Sequence, residues 1–203
     1  DVDLNCRDEI AAEAMKLKIR QARQAGDTLG GIFAVVIKGV PLGLGSHIQW
    51  DKRLDGKIAG AMMSIQAIKG VEIGSGFDYA HMPGSLSHDE MFYDENGNVY
   101  RETNHAGGLE GGMTNGEDII IKAVMKPIPT LMQPLHSIDI DSKEAVMACK
   151  ERSDVCAVPA ASIVGEAMMS FVLAEAIIDK FPADNMEELL AALDIYRKHI
   201  QDN

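Results

Sequence analysis

From Pro159 to Phe181 the chain is apolar at almost every step, with Ile163, Val164, Ala167, Met168, Met169, Phe171, Val172, Leu173 and Ala174 in close succession. A proline at the head of such a run suits the first turn of a helix, where its missing N–H has no intrahelical partner anyway. A helix that is apolar on all sides has to be surrounded by other apolar elements. Glu166 and Glu175 break the run, so the expectation is a buried core helix and not a membrane span. The chain has 203 residues, 46% of them hydrophobic, which is enough for one good-sized core. No stretch reads as a linker, so residues 1–203 read as a single domain.

The other elements follow from periodicity and punctuation. Asp8 to Ala25 reads as a helix, with Ile10, Ala14 and Leu17 on one stripe, Met15, Ile19 and Ala22 on the next, and Gly26 as its stop. Gly30 to Lys38 is β-branched and aromatic and reads as a buried strand; Pro41 to Gly45 is a turn. Asp51 to Ile68 reads as a second helix, closed by Gln66 and Ala67, with Leu54, Ile58, Met62 and Ile65 on one face. Gly70 to Phe77 and Glu117 to Met125 read as strands. Asn96-Gly97 between Phe92-Tyr93 and Val99-Tyr100 predicts a hairpin, and Ser137 to Asp141 pairs with Ala145 to Lys150. Asn185 to Gln201 is a last helix. The stretch from Asp78 to Gly116, rich in Gly, His and Asn, is long for a compact domain, and such stretches more often carry function.

Charge removes two classes of partner. With 19 basic and 31 acidic residues the net charge is −12, whereas nucleic acid and anionic membranes call for a basic face. Cys6, Cys149 and Cys156 fit no zinc spacing, and with no segment reading as a signal peptide they point to reduced thiols and a cytoplasmic location. His81 and His88 flank a Pro-Gly loop, but without a third regularly spaced ligand no metal is expected.

Three segments carry chemistry. Arg152 and Asp154 sit two apart, just before Pro159 and its helix. A guanidinium grips phosphate or carboxylate with two prongs, and a carboxylate beside it is a candidate proton acceptor; a surface ion pair at a helix entrance is the plain alternative. Lys126-Pro127-Ile128-Pro129-Thr130 leaves a strand, is stiffened by two prolines, and offers an ammonium and a hydroxyl. Its alternative is a rigid loop with a surface lysine. Gly111 lies in a run of glycines from Gly107 to Gly116 that could bring backbone N–H groups close to a phosphate or a carbonyl, or could simply be flexible.

Taken with Gly43-Leu44-Gly45-Ser46-His47 running through Trp50 to Gly74, and with Asn104-His105-Ala106-Gly107-Gly108-Leu109-Glu110-Gly111-Gly112, these segments stand in the order and at the spacing of chorismate synthase, which the chain resembles over nearly its whole length. The Gly-Glu-Ser-His-Gly segment and the Arg-rich segment with the family's catalytic histidines do not occur in it. The resemblance is therefore to the C-terminal half or so of that enzyme.

The resemblance implies an α+β fold, a β-α-β sandwich of antiparallel sheets with packed helices, present in part. It implies that 5-enolpyruvylshikimate 3-phosphate is converted to chorismate and phosphate by an anti-1,4 elimination. Reduced FMN is the implied cofactor, with NADP as an associated nucleotide, in a cytoplasmic homotetramer of the shikimate pathway. Gln66, Ala67, Gly111, Lys126, Pro127, Ile128, Pro129, Thr130 and Arg152 match FMN contacts, and Asp154 matches a carboxylate that takes a proton by way of the flavin. Many members read Arg-His-Asp where this chain has Ser153 in the middle, which leaves that residue without an assigned role. One shared cleft for Arg152, Asp154, Lys126 and Gly111 is the structural expectation, with turnover absent from these 203 residues alone. Two other functions stay open: a non-catalytic module that oligomerises or holds part of a flavin site, and an unrelated α/β phosphate-binding protein.

Overall fold

The structure is a computed structural model and describes residues 4–95 and 97–201. In chain order it contains α1 (Glu9–Ala25), β1 (Gly31–Ile37), α2 (Leu54–Met63), β2 (Ile68–Ile73), α3 (Gly84–Ser87), β3 (Met91–Tyr93), β4 (Val99–Arg101), β5 (Leu109–Glu110), β6 (Met113–Thr114), β7 (Ile119–Met125), β8 (His136–Ile138), β9 (Ala145–Met147), α4 (Val158–Lys180) and α5 (Met186–Gln201). The fold is mixed helix and antiparallel sheet, as expected.

The core is built on β7. It lies between β1 and β2, antiparallel to both, with Phe33 opposite Ala123, Val35 opposite Ile121, and Val71 opposite Ala123. Side chains alternate across a strand, so Phe33, Val35, Ile119, Ile121 and Ala123 share one face and are buried there under α2 and α4. Gly165 lets α4 come close: a Cβ there would stand 2.7 Å from the Phe33 ring. Leu54, Ile58 and Met62 of α2 and Met169 of α4 fill the space between, all essentially inaccessible.

Burial differs from the sequence expectation in three places, and each has the same cause. α4 buries Ala161, Gly165, Met169, Val172, Leu173 and Ala176, a stripe at helical spacing, while Ile163, Val164, Phe171 and Ile178 stay exposed. By length and composition α4 could cross a bilayer; it lies instead along the sheet, with its Glu175 paired to Lys57 of α2 at 2.9 Å. β1 is buried on one side only, leaving Ile32 66% and Val36 51% exposed. On α1 it is Ala12 and Ala22 that are buried, and Ile10, Met15 and Leu17 that are exposed. Apolar sequence sets which residues could be buried; burial itself needs a partner face, and here each element has one.

Boundaries also move: β2 runs from Ile68 to Ile73 where Gly70 to Phe77 is expected, and β8 and β9 stop at Ile138 and Met147. α2 stops at Met63, and Gln66 and Ala67 form the turn into β2, because Ile68 already pairs with Met125. The β3–β4 hairpin pairs Phe92 with Tyr100 as expected, and the Gly97 N–H donates to the Asp94 carbonyl at 3.0 Å; Asn96 of the expected turn lies outside the described residues. α5 closes the far side, with Tyr196 edge-on to Phe181 at 5.2 Å between ring centroids.

Candidate functional site

At the end of the sheet where β1 starts and β7 stops, three segments meet around a cleft of about 360 Å³. That is near the lower end for a pocket enclosing a small organic ligand. The first wall is the turn after α1. Asp8 caps that helix at its start and Gly26 ends it in the left-handed region, as its sequence suggested. The Gly26 carbonyl then accepts the N–H groups of Met132 and Gln133 at 3.1 and 3.3 Å. Thr28, only 8% exposed, donates its hydroxyl to the Ile128 carbonyl at 2.6 Å. The Leu29 N–H donates to the Val155 carbonyl at 2.7 Å.

The second wall is the proline-rich segment. Its first residue, Lys126, donates its N–H to the Ala67 carbonyl at 2.9 Å, which ties it to the turn after α2. Ala67 has φ +65°, a left-handed conformation that costs a residue with a Cβ of order 1–3 kcal/mol and is often kept for a purpose. Thr130, at the other end of the segment, lines the cleft. The third wall is Arg152 to Val155, and the Ser153 hydroxyl joins it to the second by donating to the Thr130 carbonyl at 3.0 Å. The middle residue of Arg-Ser-Asp therefore has a contact of its own.

The charged side chains in the cleft are Arg23, Arg152, Asp27 and Asp154. Among the described residues neither guanidinium has an ion pair or a hydrogen bond, and Asp154 is exposed and unpaired. Unpaired guanidiniums suit a phosphate or carboxylate, and a carboxylate beside them suits a proton. Among the described residues no group of three or more His, Cys, Asp or Glu side chains could hold a metal ion.

The structure thus brings Thr130, Arg152 and Asp154 to one cleft, with Lys126 about 13 Å away at most along an extended run. Lys126, Pro127, Ile128 and Pro129 lead up to Thr130 but do not line the cleft themselves; Ile128 is bonded to Thr28, and Ala67, which follows Gln66, to Lys126. Gly111 does not share this cleft. It lies at the turn between β5 and β6, beside Gly112, whose carbonyl accepts the Leu54 N–H at the start of α2. Ala67 is beyond the other end of α2, so a ligand touching both has to span on the order of 15 Å. The sequence reading missed Arg23, Asp27, Thr28 and Met132. A basic residue in the last turn of α1, followed past the Gly26 stop by Asp-Thr, was the available signal.

A family model described as chorismate synthase matches residues 1–178. The chorismate synthase of Desulforamulus reducens is 56% identical over 198 residues, covering 98% of this chain and 51% of that protein. That of Geobacter sulfurreducens is 53% identical over 201 residues, covering 96% and 51%. A crystal structure of chorismate synthase superposes with a TM-score of 0.78 at 45% identity, covering 95% of this chain and 50% of that one. The chain spans about half the length of the relatives it matches.

Proposed function

The chain belongs to the chorismate synthase family, and from that premise we propose that it supplies one side of a site for reduced FMN and 5-enolpyruvylshikimate 3-phosphate, which becomes chorismate and phosphate. Family membership sets aside the unrelated phosphate-binding protein. The observation that supports this reading is that Thr130, the last residue of the Lys126–Thr130 segment, lines one cleft with Arg152 and Asp154 and is bonded there to Ser153.

The donor set suits the cofactor: the Thr130 hydroxyl and the Arg152 guanidinium in the cleft, and the Lys126 ammonium four residues before Thr130, are donors for the acceptor oxygens and nitrogens that a flavin ring and a phosphate carry. The chemistry that reduced FMN would supply there, held by Thr130 and Arg152, is electron density for the departure of phosphate. The chain's own residues bind and orient. Arg152 grips an anionic oxygen with two N–H groups, the two prolines hold Thr130 in place, and a carboxylate oxygen of Asp154 accepts the proton lost from the ring. Gln66 and Ala67 lie beside the start of the Lys126–Thr130 segment, and Gly111 meets the far end of an elongated ligand. Residues 1–203 act as one domain, in the cytoplasm, with NADP-linked reduction of the flavin. Because the family's catalytic histidine segments are not in this sequence, these residues alone bind flavin without turning substrate over.

Titrating the chain with FMN tests the reading. Arg152→Ala should weaken binding by about tenfold, the loss of one charge-assisted contact. Asp154→Ala should leave it within about twofold, since a proton acceptor acts mainly in the transition state. Unchanged binding in Arg152→Ala would remove the site. A second observation favours self-association, as in the homotetramer that the resemblance implies: Ile32, Val36 and Val124 on the open sheet face, and Val164 and Phe171 on α4, are exposed apolar side chains. Light scattering that finds a 22.0 kDa monomer would refute this part.

A further inference from the structure

We propose that Thr28 is a positioning residue for the cleft, an inference that rests on the flavin reading above. The turn from Gly26 to Leu29 is bonded to both functional walls. The Gly26 carbonyl holds Met132 and Gln133, the Thr28 hydroxyl holds Ile128, and the Leu29 N–H holds Val155, next to Asp154. Two of these three attachments are backbone to backbone and survive any ordinary substitution. Thr28 makes the one that depends on a side chain, and it does so across 100 residues of sequence.

The acceptor explains why a hydroxyl is needed there. Ile128 stands between Pro127 and Pro129, and neither proline has an N–H to give. The segment cannot extend the sheet past Met125, so its carbonyls need partners from elsewhere. Among the described residues the Thr28 hydroxyl is the partner of the Ile128 carbonyl, and the Ser153 hydroxyl that of the Thr130 carbonyl. The two bonds differ in setting. Thr28 is among the few buried polar residues, whereas the Ser153 bond is exposed to water, which can replace it. Among the bonds that set the proline-rich segment against Arg152, the Thr28 bond is therefore the one that a side-chain change removes and water does not readily replace. Thr28 stands at the edge of the cleft with its hydroxyl already committed to Ile128, so it acts by holding Ile128, and through it Lys126 and Thr130.

Thr28→Val keeps the shape and removes the hydroxyl, leaving the Ile128 carbonyl without its partner. Thr28→Ser keeps the hydroxyl. Hydrogen exchange read at the Lys126 and Met132 amides, which are bonded to Ala67 and Gly26 on either side of Ile128, together with FMN titration, tests the proposal on this chain. Thr28→Val should raise exchange at both amides and weaken FMN by about tenfold, and Thr28→Ser should restore both to within about twofold. Ile58→Val, a methyl deletion in the core, should lower the melting temperature and leave FMN affinity at the parent value, which separates positioning from general loss of stability. The proposal is overturned if the parent binds FMN and Thr28→Val binds it equally well, if exchange at Lys126 and Met132 does not rise, or if Thr28→Ser behaves like Thr28→Val. A parent chain that binds no FMN overturns the flavin reading itself, and the positioning role with it.

Discussion

β7 has the cleft at one end and the glycine run at the other, and the two are built differently. Past Met125 come the proline-rich segment and the cleft, where Lys126, Arg152 and Asp154 are exposed and backbone bonds hold the frame around them. Before Ile119, roughly 20 Å away along the strand, comes the glycine run, where polar groups are mostly engaged. The Asn104 side chain donates to the Asp118 carbonyl at 2.8 Å and accepts the Gly108 N–H at 2.9 Å. Thr114, 2% exposed, donates to the Pro41 carbonyl at 2.6 Å and accepts the Leu44 N–H at 2.8 Å. Arg101 spans Glu110 and the Asn115 carbonyl. The glycine-rich region is thus packed, and the readiness to bind lies with unpaired side chains at the other end.

The strongest way to break this contrast is a methyl group at Gly107. A Cβ there would lie 2.4 Å from the Gly74 nitrogen and 2.5 Å from its Cα, in a residue with φ +61°. Backbone must move on both sides of the contact. Gly107→Ala should cost on the order of 3 kcal/mol, seen as a large drop in denaturation midpoint. A loop that accepts this alanine with no loss of stability would be the flexible cradle that its composition suggests.

Much of this was legible in the sequence, for reasons that single residues show. Asp8 and Gly26 mark both ends of α1, and the alternation through Ile119, Ile121 and Ala123 gives β7 and its buried face. Family motifs named Thr130, Arg152 and Asp154, which do come together. What was not legible is what depends on a partner far away in sequence. Ile163 and Phe171 look as suited to a core as Met169, and only the placement of the sheet decides that Met169 is buried. Gln66 and Ala67 look like the end of a helix until Ile68 is seen to pair with Met125. Thr28 is silent in sequence because its acceptor lies 100 residues on.

A smaller effect tests whether charge organises the glycine end. Asp89 accepts the Thr103 hydroxyl at 2.6 Å and the N–H groups of His105 and Ala106 at 2.7 and 2.9 Å. Burial alone pushes its carboxyl up, but these bonds, led by the Ala106 N–H, outweigh burial and hold it below the usual range. A carboxylate depressed in this way adds stability above its unfolded value of about 3.9, and that stability is lost as pH falls through the folded value. Asp89→Asn should therefore cost about 1–2 kcal/mol at pH 7, at the lower end because the site is partly exposed. Melting curves of the two proteins should start to converge as pH falls below the unfolded value of about 3.9, and should meet only once it has passed the lower folded value, where Asp89 takes up its proton. A gap that persists unchanged into acid would mean that shape and not charge is what Asp89 contributes.

The smallest expected change in stability is the most informative about function. Gly111 has φ +60°, yet a Cβ on it would meet nothing within 4 Å, unlike Gly107 or Gly108. Gly111→Ala should cost only about 1 kcal/mol, the ordinary penalty for an L residue in the left-handed region. Gly116, at φ +93° and equally open, is a control in the same run with no proposed contact. If an elongated flavin reaches from Thr130 to this turn, a methyl group at Gly111 should weaken FMN several-fold, and one at Gly116 should not. Equal FMN affinity in the two alanine variants would confine the ligand to the Arg152 end. The glycine run would then serve only to close the fold at the far end of β7.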